Sequence, residues 1–205
     1  GYMGALFVQR RAQPQADLIS ALLQTEEAGD KLREEELFSM VILLIVAGHE
    51  TVVDLISNGV LALLQHPDQR QLLQQQPARL DAAIEEIVRY DGPVERATVR
   101  FAAQDVAMDG HLIQRGDAVN LILAAADRDP AQFANPDQFE IDRANNRHLG
   151  FGLGVHYCLG APLGRLEGKI AISTLFRRLP NLRLAVPLDT LKWRKVPILR
   201  GLQHM

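Results

Sequence analysis

Hydrophobic and polar positions change character near residue 93. Before it, apolar residues recur at helical spacing over long segments; after it, they come in short runs separated by Gly, Asp and Pro. The pattern predicts a helix tail over residues 1–13, a short helix from Asp17 through Leu23 closed by a Gly29-Asp30 turn, and a long helix opening on Glu34-Glu35-Glu36 and running to about Gln65. Acidic side chains suit a first helical turn, where the helix dipole is positive, although Arg33 stands where a Ser or Thr cap is expected. Residues 37–46 are apolar on nearly every face and need covering on all sides. Two further helices begin on proline, at His66-Pro67-Asp68 and Pro77-Ala78-Arg79, and the second ends at Asp91-Gly92-Pro93.

From Val94 onward, residues 94–102, 106–108, 111–113 and 118–123 read as short strands of a small mixed sheet, turned by Asp109-Gly110 and Arg115-Gly116-Asp117. A proline-punctuated coil over residues 125–143 leads to a glycine-rich segment, residues 151–160. An amphipathic helix follows over residues 163–179, and residues 182–184 and 193–199 suggest a terminal hairpin. There is no internal repeat and no low-complexity linker.

Composition narrows the function classes. A chain of 205 residues with 47% apolar and 23% charged residues has the make-up of a globular protein, not a disordered one. The net charge of -3 argues against nucleic acid as the main partner. A single cysteine excludes an internal disulfide framework. No basic-then-apolar leader opens the sequence, and the most apolar stretch, residues 37–48, falls short of the roughly 18 apolar residues that a bilayer requires. A cytoplasmic protein without a membrane partner is expected, with that stretch as a core helix.

Three places carry candidate chemistry. Cys158 sits between Gly152, Gly154 and Gly160 and just ahead of a proline-first helix, whose free N–H groups favour a thiolate able to bind a metal. Taken alone, a single cysteine is more often a buried small hydrophobe, and a zinc site of Cys158, His156 and His148 is short of ligands. Gly48, Glu50 and Thr51 interrupt the long apolar helix with a flexible residue, an acid and a hydroxyl able to open the local hydrogen-bond ladder. The plainer alternative is a close helix contact at Gly48 and an ion pair at Glu50. Glu86 and Arg89 share a helix face; by itself such a pair is a commonplace exposed one.

Residues 151–160, F-x-x-G-x-H-x-C-x-G, resemble the heme-binding loop of the cytochrome P-450 superfamily. Residues 47–51 resemble its A-G-x-E-T, and Glu86-x-x-Arg89 its E-x-x-R, in family order and with the proline coil between. The resemblance implies a mainly α (α+β) fold, with residues 1–205 forming one heme-thiolate domain that corresponds to the C-terminal half of a bacterial member, the N-terminal half having no counterpart. It implies heme b with Cys158 as axial iron ligand, Phe151 shielding the sulfur, and Gly154 and Gly160 letting the backbone approach it. By the same likeness His156 and Arg100 contact the propionates, Glu50 and Thr51 relay protons, and Glu86 and Arg89 form a buried structural pair. Two positions depart from the pattern. Gln138 stands where many members carry a base completing a Glu-Arg-Arg brace, with Arg143 as a candidate substitute, and Val52 stands where a second hydroxyl is common.

The implied activity is monooxygenation of a small organic substrate, with electrons from a ferredoxin-type partner. The alternatives are a peroxidase or peroxygenase driven by hydrogen peroxide, and a non-catalytic heme-binding or interaction module. Because the apolar row at residues 37–46 would otherwise be bare, a homo-oligomer is expected.

Overall fold

A computed structural model describes residues 1–24 and 32–204; the expected Gly29-Asp30 turn lies outside them. The longest element is α3 (Glu34–Gln65), which follows α1 (Tyr2–Ala12) and α2 (Leu18–Gln24). Arg33 does replace the usual cap and brings no side-chain acceptor to the first turn; instead the carboxylate of Glu36 accepts the Arg33 backbone N–H at 2.8 Å and the guanidinium at 3.0 Å. This is the glutamate half of a capping box. Asp17 caps α2 by accepting the Ser20 N–H at 2.7 Å.

Contacts gather into two compact units, Gly1–Glu50 and Thr51–Met205. In the first, Phe7, Leu23, Leu37 and Val41 form a small core edged by Met3, Ile19, Leu22 and Leu32. The expectation of a core helix over residues 37–48 is corrected here: only Leu37 and Val41 are buried, while Phe38, Ile42, Leu43, Ile45 and Val46 are exposed. The length argument changes too. Val52, Val53, Leu55 and Ile56 carry the apolar run past His49 and Glu50, so the whole 32-residue helix is, by length and composition, long and apolar enough to cross a bilayer. The helix passes through Gly48, Glu50 and Thr51 without interruption, and a Cβ on Gly48 would meet nothing within 4 Å.

The second unit is built on the other half of α3. Leu55, Val60, Ala62 and Leu63 pack with Ala83, Ile84, Ile87 and Val88 of α5 (Leu80–Asp91) and with Ile172 and Phe176 of α7 (Ala161–Arg178). The buried positions of α7, Ala161, Gly164, Gly168, Ile172 and Phe176, recur every three or four residues, which is one face of a helix. The three helices meet at Gly59, where a Cβ would stand 2.9 Å from Ile87 Cδ1 and 3.0 Å from Ile172 Cδ1. Between α3 and α5 lie α4 (Pro67–Gln75), starting on proline as expected, and a 3-10 turn at Pro77–Arg79.

The sheet prediction needs correcting. Instead of one mixed sheet there are two antiparallel pairs: β1 (Arg100–Phe101) with β4 (Ala118–Val119), and β2 (Val106–Met108) with β3 (His111–Ile113). Arg100 faces Val119 in the first, and Met108 faces His111 in the second. Asp109 and Gly110 both have positive φ, 48° and 78°, the two-residue turn whose twist matches a hairpin. The strand expected through residue 123 stops short, because Leu123 opens the helical turn α6 (Leu123–Ala126). No regular C-terminal hairpin forms among the described residues; single bridges join Trp193 to Leu202 and Val94 to Leu199.

The pair at Glu86 and Arg89 is a buried one, with both side chains at 0% exposure. Two parallel bonds of 2.8 Å join guanidinium and carboxylate. Arg89 spends its other hydrogens on the carbonyls of Asp127, Pro136 and Gln138, at 2.8 to 2.9 Å. Glu86 also accepts the Glu140 N–H at 2.9 Å, the Asn146 amide at 3.0 Å and the Arg143 guanidinium at 3.2 Å. Arg143 thus supplies the second cation, while Gln138 contributes its carbonyl to both arginines. A second buried tie is Asn58, whose amide donates to the carbonyls of Asp91 at 3.0 Å and Arg200 at 2.9 Å.

Removing one partner of a buried pair strands the other charge and costs about 3–5 kcal/mol, or roughly 6–20 °C in melting temperature for a chain of this size. Glu86→Ala and Arg89→Ala should each fall in that range by calorimetry, whereas breaking the exposed Arg33 to Glu36 contact should change it little. Asn58→Ala leaves two carbonyls without their donor and should cost about 1–3 kcal/mol in denaturant titration.

Candidate functional site

The loop after the brace is folded by its own backbone. Phe151 C=O accepts the Cys158 N–H at 2.8 Å, Leu149 C=O accepts the Gly152 N–H at 2.7 Å, and a 3-10 turn at Gly154–His156 is closed by the Tyr157 N–H on Gly154 C=O. Gly152 and Gly154 have φ of 74° and 75°, so glycine there serves the left-handed backbone. Gly160 differs: a Cβ there would lie 3.9 Å from Cys158 Sγ, an ordinary contact. Cys158 C=O accepts the Ala161 N–H at 3.2 Å, which places the cysteine immediately before α7.

Cys158 is a free, exposed thiol. Around it on the loop, Val155 is 98% exposed, Leu159 88% and Leu153 80%. A lone thiol among bare apolar side chains suits an apolar metal complex better than a hydrated cation, which needs several hard donors. Among the described residues no three His, Cys, Asp or Glu side chains gather as a metal ion would require, which leaves the zinc reading without a ligand set. Phe151, half-buried, lies beneath the loop, and a Cβ on Gly164 of α7 would touch its ring at 4.0 Å. His156 is exposed, and so is Arg100, which bonds to Thr98 O at 3.0 Å and to the Thr98 hydroxyl. Glu50 is exposed and Thr51 half-exposed, at consecutive positions of α3.

Reasoning from the sequence missed a charged cluster under the loop. Glu85 Oε1 receives Arg165 Nε at 2.6 Å, and Oε2 receives Arg165 Nη2 at 2.8 Å and His148 Nε2 at 3.0 Å. His148 Nδ1 accepts the Gly150 N–H at 3.1 Å, so Nε2 is the nitrogen carrying the hydrogen. Arg165 also donates to the Tyr157 hydroxyl at 3.0 Å, and its guanidinium lies 4.3 Å from the Phe151 ring centroid. Burial alone would raise the Glu85 carboxyl, but the Arg165 and His148 hydrogen bonds outweigh it and hold its pKa at about 2. The Glu85 carboxylate also raises the Arg165 guanidinium above its ordinary value. A signal for this cluster exists in the sequence. Asp81 and Glu85 are four apart on α5, Arg165 and Lys169 four apart on α7, and the pairs match in antiparallel order, Asp81 to Lys169 at 2.7 Å and Glu85 to Arg165.

The cytochrome P450 family model matches residues 7–190. The polyketide biosynthesis cytochrome P450 PksS of Bacillus subtilis (strain 168) is 48% identical over 204 residues, covering 100% of this chain and 50% of that protein. The cytochrome P450 monooxygenase PikC of Streptomyces venezuelae is also 48% identical, over 206 residues, again covering 100% of this chain and 50% of the relative. Among solved structures, PksS superposes with a TM-score of 0.94 over 98% of this chain and 52% of that one. P450BioI in complex with an acyl carrier protein ligated to hexadec-9Z-enoic acid superposes with a TM-score of 0.91 at 48% identity, over 98% of this chain and 51% of that one. The chain spans about half the length of the curated relatives it matches. On the family match and these identities, the chain belongs to the cytochrome P450 family.

Proposed function

We propose that the protein is a heme-thiolate monooxygenase acting on a small organic substrate, with Cys158 as the axial ligand of heme b. The observation that carries this reading is the sole thiol, exposed among exposed apolar side chains on a loop that the backbone itself holds closed. Heme, when bound, supplies dioxygen activation and oxygen insertion, with electrons delivered by a ferredoxin-type partner. The residues of the chain prepare that chemistry. Cys158 gives the thiolate, Phe151 keeps water from the sulfur, and Gly154 and Gly160 keep the loop close to the ligand. Arg100, a cation, and His156, whose ring can donate an N–H, are both exposed and suited to the two propionates. Glu50 and Thr51, both on α3, relay protons, the carboxylate by taking one up and returning it and the hydroxyl by passing on its own as it accepts another.

The setting we assign is cytoplasmic in spite of the apolar length of α3. Its second half, through Leu55, Val60, Leu61 and Leu63, is spent on the protein core, where a bilayer-spanning segment would present those side chains to lipid.

Cys158→Ser should abolish the cysteinate spectrum of the reduced, carbon monoxide-bound protein, because no other sulfhydryl exists to replace it; a mutant that keeps that spectrum ends the assignment. Thr51→Ala should release more peroxide and form less product for each reductant consumed. Unchanged coupling would remove Thr51 from proton delivery.

A further inference from the structure

The brace at Glu86 ends at Asn146, and the loop that follows needs its own tie to the helices. Its two ends converge on one carboxylate. At the entry, Glu85 holds His148 Nε2 at 3.0 Å, and the other nitrogen of that ring holds the Gly150 N–H at 3.1 Å, one residue before Phe151. At the exit, Glu85 holds Arg165 through two bonds of 2.6 and 2.8 Å, and Arg165 holds the Tyr157 hydroxyl, one residue before Cys158. Phe151 lies between these arms, its centroid 5.9 Å from the His148 ring and 4.3 Å from the Arg165 guanidinium. The carbonyl of that same Phe151 receives the Cys158 N–H at 2.8 Å.

We propose that Glu85 is a positioning residue for Cys158: through His148 and Arg165 it clamps Phe151, and Phe151 in turn fixes the backbone of the cysteine. The direction and thermal spread of the sulfur are then set by α5 and α7, two packed helices, and not by a loop whose apolar side chains are bare. Arg165 is suited to this as lysine is not. Its planar fork engages both carboxylate oxygens while its face lies on the ring, and an ammonium group can do only one of these. The neighbouring Asp81 to Lys169 contact joins the same two helices at 2.7 Å and involves no residue of the loop, so it separates positioning from simple helix pairing.

The proposal rests on Cys158 being the iron ligand, and the test keeps the two ideas apart. On the full chain, Glu85→Gln, Arg165→Lys and Asp81→Asn are compared in two readouts: amide exchange at the Cys158 N–H without heme, and the rate at which the reduced, carbon monoxide-bound protein loses its cysteinate band with heme. Glu85→Gln and Arg165→Lys should speed both by about tenfold or more, the scale seen when a residue orienting a metal ligand is removed. Asp81→Asn should match the wild type. Wild-type values in both Glu85→Gln and Arg165→Lys would overturn the proposal, as would an equal acceleration in Asp81→Asn, which would mean general loosening. If Glu85→Gln does not fold, Arg165→Lys decides alone by the same criteria. If the wild type shows no cysteinate band, the ligand assignment fails while the amide exchange still decides whether Glu85 positions the cysteine backbone.

Discussion

A buried carboxylate is tolerable only if its charge is met on every side, and Glu86 is met by Arg89, by Arg143, by the Glu140 N–H and by Asn146. Arg89 in turn gathers three carbonyls from residues 127–138, a stretch with no regular structure beyond short turns to satisfy them. In a helix or sheet those carbonyls would be paired by the backbone; here a guanidinium takes that part. The brace is therefore what gives the coil a single conformation. The cysteine loop begins where that coil ends, so the brace sets its starting point.

Two adjacent acids on α5 divide the work. Glu86 faces the coil and Glu85 the cysteine loop, because successive residues on a helix point in directions roughly 100° apart. Their surroundings differ accordingly. Glu86 is sealed from solvent, whereas Glu85 is partly open, so its depressed pKa signals firm hydrogen bonding more than a large store of stability. A rigid side of the loop, fastened to α5 and α7, is thus combined with an exposed apolar side free to meet a ligand.

What could be read from the residues was local. Proline-first helices, the Asp109-Gly110 turn and the helical face shared by Glu86 and Arg89 all follow from short-range rules, and they stand in the structure. What could not be read was which side of an element is covered. Residues 37–46 have no polar face, so periodicity could not show that Leu37 and Val41 alone would be buried. The strands pair over only two or three residues, too short for alternation to reveal partners, and a mixed sheet was inferred where two separate pairs stand. The part of Gln138 was hidden because it acts through its carbonyl, which no side-chain identity discloses. Glu85 escaped notice because its partners lie 63 and 80 residues away.

Those separations also order the assembly of the chain. Glu86 and Arg89 neutralise each other within α5, but the other groups that they bind are 38 to 60 residues downstream, so large loops must close before their remaining hydrogen-bonding sites are filled. Closure entropy grows only slowly with loop length, but a half-closed state buries an ion pair whose remaining hydrogen-bonding sites lack partners, which is disfavoured. Docking of the coil onto α5 is therefore expected to be a single cooperative step. The cysteine loop, joined to the end of that coil, takes its place with it although its own backbone contacts are short-range.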